Sequence, residues 1–133
     1  VRMGTIPYPC GDGSHPWATR DDMARAAAAV LASSDHDGRR YDLTGPQAHT
    51  VEELCGIVGR VTGQAIEHRE ASVDDYIAAC LADGEDATFA RLLATLYAPV
   101  RDGLTSFATD HIERLTGQAP EPLEDFLART WKP

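Results

Sequence analysis

Glycine and proline interrupt this chain so often that no long helix can survive in it. Pro7, Pro9, Gly11, Gly13 and Pro16 exclude a helix before Trp17. Gly38, Gly45-Pro46, Gly63, Gly84, Gly103, Gly117 and Pro122 then divide the remainder into short segments. The longest apolar run, Ala26 to Ala32, is far below the ~18–20 residues that a membrane span needs. The start, Val1-Arg2-Met3-Gly4, carries no apolar core of a signal peptide, so a cytoplasmic protein is expected. The total of 133 residues suits a single domain over 1–133 with a real core.

The segments between the breaks carry recognisable start and stop signals. Residues from about Asp21 to Ser33 are alanine-rich and helical, with Thr19 or Asp21 able to cap them. Thr50-Val51-Glu52-Glu53 is a capping box, and Val51, Leu54, Cys55, Val58 and Val61 recur at a helical period until Gly63. Ser72 opens a further helix that buries Tyr76, Ile77, Cys80 and Leu81 and ends at Gly84. The next, from about Asp86 to Arg101, turns Phe89, Leu92, Leu93, Leu96 and Tyr97 inward, and Pro99 should kink or end it. Short helices follow near Thr109–Leu115 and Pro122–Trp131. Arg40 to Leu43 alternates like a strand, Gln64 to Glu70 is extended, and Thr5–Tyr8 and Trp17–Thr19 are edge strands at best. The expected class is α+β: strands alternate with helices in the first half, and the second half is helical. About six helices and two or three short strands are predicted.

Charge and residue usage exclude several functions. The net charge is −9, and Lys132 is the only lysine. A lone lysine beside the C-terminal proline serves neither a Walker A loop nor a Schiff base in a pocket. A phosphate backbone would meet net repulsion, so nucleic acid is not an expected partner. Cys10, Cys55 and Cys80 form no CxxC pair. His15, His36, His49, His68 and His111 show no HxxxH spacing, so no metal site is predicted. Gly11-Asp12-Gly13 begins a dinucleotide fingerprint, but Pro16 stands where its third glycine belongs. No GxSxG elbow exists.

Three constellations could carry chemistry. Ser14 to Asp22 feeds a helix N-terminus, where free amides and a positive dipole end suit an anionic or carbonyl ligand. There Trp17 could form an apolar wall, and Arg20 or His15 could polarise an oxygen; equally, Thr19 and Asp21 are simple caps and Trp17 is core. Asp110 and His111 offer an acid and a histidine for proton transfer, or a capped helix start with an exposed ring. Asp74-Asp75 before Tyr76 reads first as complement to a helix dipole. Cys55 and Cys80 fall on apolar faces, while Cys10 lies in a glycine-flanked loop where it can be exposed.

Longer motifs now carry a resemblance. Trp17-Ala18-Thr19-Arg20-Asp21-Asp22-Met23-Ala24-Arg25-Ala26-Ala27 resembles the D-x-A helix entry of NmrA-like, atypical short-chain dehydrogenases. Tyr41-Asp42-Leu43-Thr44-Gly45-Pro46 with Thr50-Val51-Glu52-Glu53-Leu54 is similar to their Y-x-L-T-G-P…T-x-x-E signature. Arg114-Leu115-Thr116-Gly117-Gln118-Ala119-Pro120 is similar to their late L-T-G-x-x-P segment. The resemblance implies the C-terminal, substrate-side portion of a protein whose Rossmann half holds NAD(P)H for reducing quinones or related carbonyls. It implies that Trp17 and Thr19 line the substrate cleft, and that this chain holds no cofactor unless a separate Rossmann half supplies NAD(P). Two other readings accompany it. One is a free-standing isomerase, dehydratase or cyclase using His15, Arg20, Asp21, Asp110 and His111 on a small apolar carbonyl compound. The other is an interaction module that forms a homodimer or higher oligomer through surface left bare by the missing half.

Overall fold

A computed structural model describes residues 4–131. Lys132 and the first three residues, on which two of the expectations above fall, lie outside them. The chain order is β1 (Thr5–Ile6), β2 (Ser14–His15), α1 (Arg20–Ala32), β3 (His49–Thr50), α2 (Val51–Thr62), β4 (Glu67–His68), α3 (Val73–Ala82), α4 (Ala87–Arg101), α5 (His111–Thr116) and α6 (Leu123–Thr130). Among the described residues the class is α+β with six helices and a helical second half, as expected. Among the described residues no helix is long and apolar enough to cross a membrane.

The fold divides into two compact units. One comprises the described residues through His15 together with His49–Ser106. Here β1 pairs parallel with β4 (Thr5 with Glu67, Ile6 with His68), and β2 pairs antiparallel with β3 (Ser14 with Thr50, His15 with His49). The core is Ile6, Cys10, Val51 and Cys55, with Tyr8, Ile66, Tyr97 and Val100 against it. The capping box at the head of α2 is formed as read: the Glu53 amide donates to Thr50 Oγ1 (3.1 Å), and the Thr50 amide donates to Glu53 Oε2 (2.9 Å). Gly63 closes the helix in the left-handed region, φ 71°. Ile57 is also buried, so the apolar stripe is wider than the period alone suggested.

Helix α4 departs from expectation in the face it buries. Ala90 and Ala94 are buried, whereas Phe89, Leu92 and Leu96 are 46%, 56% and 58% exposed. Helix α4 packs on α3, and the bulkier row is turned outward. Pro99 does not end the helix, which runs on to Arg101. So near the C-terminus its missing donor leaves few bonds to break, and its carbonyl accepts from Leu104 (2.9 Å).

The other unit comprises Pro16–Ala48 and the described residues from Phe107 onward. Helices α1 and α5 pack together, with Ala26 and Ile112 fully buried. Neither Arg40–Leu43 nor Trp17–Thr19 is a strand; the last strand before α1 is Ser14–His15. The polar groups of the 42–44 stretch are satisfied by side chains instead of a ladder. The Asp42 amide donates to His111 Nδ1 (3.0 Å), the Thr109 hydroxyl donates to the Asp42 carbonyl (2.6 Å), and the Thr109 amide donates to Thr44 Oγ1 (2.8 Å). Gly45 allows a close crossing: a Cβ there would lie 1.9 Å from the Trp17 carbonyl oxygen.

Candidate functional site

The N-terminus of α1 opens onto a cavity of about 380 Å³ lined by Trp17, Ala18, Thr19, Arg20, Asp21, Glu121, Leu123 and Phe126. Thr19 caps the helix: its hydroxyl accepts from the Asp22 amide (3.0 Å) and donates to Asp22 Oδ2 (2.7 Å). Asp22 is 3% exposed. It also pairs with Arg25 and accepts from the Glu121 amide (3.0 Å). That last bond holds the segment before α6 against the head of α1 and so shapes the cavity. Glu121 is held in turn by Arg129 (2.8 and 3.0 Å), whose guanidinium keeps the carboxyl below the usual carboxylate range. Trp17, Leu123 and Phe126 give the cavity apolar surface; Arg20, Asp21 and Glu121 give it charged groups.

Four of the residues singled out from the sequence, Trp17, Thr19, Arg20 and Asp21, therefore meet at one cavity. Asp110 and His111 are not among its lining residues. Asp110 faces Arg114 (3.7 Å), and the His111 ring accepts from the Asp42 amide and lies edge-on to Tyr41. His15 belongs to the other unit, on β2, where burial lowers its pKa below the ordinary 6.5. Asp75 is engaged as part of a cap with Ser72 (2.7 and 3.1 Å). Asp22 and Glu121 were missed as shaping residues. Asp22 appears in the helix-entry motif, but nothing local shows that its partner is the amide of Glu121.

Cys10 also departs from expectation, being fully buried. Burial, followed by the Glu70 charge, pushes its thiol up to about 11, so it is a poor nucleophile at neutral pH. Tyr8 and Tyr97 pack against the cluster that holds it, stacked at 4.8 Å between ring centres, and Tyr76 lies edge-on to both. Burial pushes Tyr76 up to about 12 and raises Tyr97 further, so both phenols stay protonated.

Comparison with known proteins places this geometry. No family model matches the chain. It is 30% identical to the uncharacterized oxidoreductase YesF of Bacillus subtilis, over 94% of this chain and 44% of that one. The NADPH-dependent quinone oxidoreductase of Escherichia coli superposes with a TM-score of 0.89 at 27% identity, over 95% of this chain and 46% of that one. The Citrobacter triphenylmethane reductase complexed with NADP(H) gives 0.87 at 28%, over 96% and 45%. The chain's homologues are NmrA-like and NAD(P)H-dependent oxidoreductases. It spans less than half the length of each, a share consistent with their C-terminal portion.

The partial fingerprint does not form a dinucleotide cradle. Gly13, the second glycine of the partial fingerprint, serves packing: a Cβ there would lie 2.0 Å from the Val100 carbonyl oxygen. The Gly11 amide, where a phosphate would dock in such a loop, donates to the Glu70 carboxylate (2.9 Å).

Proposed function

We propose that the chain is the substrate-side, small-molecule-binding portion of an NAD(P)-dependent oxidoreductase, and that the Trp17 cavity receives a quinone- or carbonyl-type ring. The observation that carries this reading is the convergence of Trp17, Thr19, Arg20 and Asp21 on one cavity of ligand size. Trp17, Leu123 and Phe126 offer apolar surface to a planar ring, and Arg20 can donate to its carbonyl oxygen. Asp21 and Asp22 occupy the first turn of α1 and Glu121 lines the cavity, which disfavours an anionic ligand and selects a neutral one. The relatives named for quinones and triphenylmethane dyes act on conjugated organic molecules of this kind. The dinucleotide belongs to a separate Rossmann half; this chain binds and orients the acceptor.

Duroquinone, whose ring carbons are fully substituted, tests this without arylating the thiols. Titrated into the Trp131→Phe variant, it should quench Trp17 fluorescence saturably, and a second change, Trp17→Phe, should remove the signal. The Phe126→Ala variant should bind about tenfold more weakly. Absence of saturation up to about 1 mM would overturn the reading. Under the same proposal a second copy covers the outward row Phe89, Leu92 and Leu96. Sedimentation at micromolar concentration should show a dimer, and Leu92→Asp should give a monomer. A monomeric parent protein would remove this part of the proposal.

A further inference from the structure

The first unit brings together three side chains of different donor chemistry that lie far apart in the sequence. Cys10 Sγ, His68 Nε2 and a Glu70 carboxylate oxygen all lie within 4.8 Å of one another. The backbone holds them there. Parallel pairing of β1 with β4 sets His68 opposite Ile6, and the Arg69 amide extends the ladder by donating to the Ile6 carbonyl (3.1 Å). His68 and Glu70 are two residues apart along this extended run and so share a side. Cys10 is fixed by a turn in which the Gly13 amide donates to its carbonyl (3.1 Å), with Gly11 at φ 53°. The Glu70 carboxylate is steered onto the same loop by the Gly11 amide (2.9 Å) and lies 3.7 Å from His68 Nε2. The Tyr8 carbonyl oxygen is a fourth polar atom beside them, 3.1 Å from His68 Nε2 and 3.8 Å from Cys10 Sγ.

We propose that Cys10, His68 and Glu70 form a binding site for a divalent transition metal of borderline softness, with Zn²⁺ the best match. Sulfur, imidazole nitrogen and carboxylate oxygen are the three donor types that Zn²⁺ accepts, and three protein ligands leave a fourth position for water or a small ligand. The site grades from the fully buried cysteine to the half-exposed Glu70, which gives the ion a route in from solvent. Binding displaces the thiol proton to solvent. The imidazole proton moves to Nδ1, freeing Nε2 to ligate in place of its contact with the Tyr8 carbonyl.

Co²⁺ reports the sulfur ligand directly. The untagged full chain, kept reduced with a phosphine, is titrated with Co²⁺ and then displaced with Zn²⁺. A thiolate-to-cobalt band in the near ultraviolet should grow to one equivalent, and Zn²⁺ should abolish it. Cys10→Ser should lose the band, while Cys80→Ser should keep it. Glu70→Gln changes a half-exposed side chain and leaves the fold intact; it should weaken Zn²⁺ binding about tenfold. Zn²⁺ should raise the Tm of the parent protein reversibly on chelation, and raise that of Glu70→Gln less. A folded parent protein that gives no cobalt–thiolate band overturns the proposal. A band that survives Cys10→Ser or Glu70→Gln at full affinity overturns it as well.

Discussion

The two units hold themselves together by different means. The first is organised around burial: Ile6, Cys10, Val51 and Cys55 with three stacked or edge-on tyrosines. The second buries Ala26 and Ile112 together with the polar Asp22 and Thr44, and is tied by polar links between distant segments: Asp22 to Glu121, Arg129 to Glu121, His111 and Thr109 to Asp42. Burial tolerates solvent conditions but not lost volume. A polar lattice tolerates some volume change but not a lost partner. The candidate ligand cavity lies in the polar unit, so its shape depends on individual hydrogen bonds rather than on a broad core.

Ile6→Ala should give the largest loss, about 2–4 kcal/mol in chemical denaturation, because it empties volume in the apolar core. Asp22→Ala should come next at about 2–3 kcal/mol, leaving Thr19, Arg25 and the Glu121 amide without their acceptor. The two should diverge in a second readout: Asp22→Ala should weaken duroquinone binding by loosening the cavity, and Ile6→Ala at a stabilising temperature should leave it unchanged. Equal effects on binding would break the distinction between the units. Thr50→Ala removes only a helix cap and should cost about 1 kcal/mol. The smallest effect concerns pH. His15 has a folded pKa below its ordinary 6.5, so the unfolded chain takes up its proton first as pH falls. Its contribution is intact above about 6.5 and is lost as pH falls through the folded value. A stability profile should therefore decline on the acid side of neutrality, and His15→Gln should flatten part of that decline.

Where one element carries its own signals, the sequence was a reliable guide. Thr19, Thr50, Ser72 and Asp86 each accept amide bonds from residues two or three positions on, and all of these helices begin where such residues stand. The aromatic and charged residues flanking α1 were legible for the same reason. Arg40–Leu43 was misread because alternation alone does not supply a neighbouring strand; Thr109 and His111 supply side-chain partners instead. The outward row on α4 is not legible in the sequence because large apolar residues at a helical period point to burial, whereas helix α4 turns its alanines inward. The grouping of Cys10, His68 and Glu70 was invisible because parallel pairing across a long crossover, not local spacing, sets it.

The central claim is that this chain by itself holds the acceptor and not the dinucleotide. Amide and indole chemical-shift mapping on the isotopically labelled chain tests it most directly, with duroquinone and NADPH titrated in parallel. The account predicts saturable duroquinone shifts centred on the Trp17 indole and the amides of Thr19, Arg20, Asp21, Glu121 and Phe126, and no saturable NADPH shifts up to about 1 mM. Saturable NADPH shifts, or duroquinone shifts that leave the Trp17 indole unmoved, would contradict it.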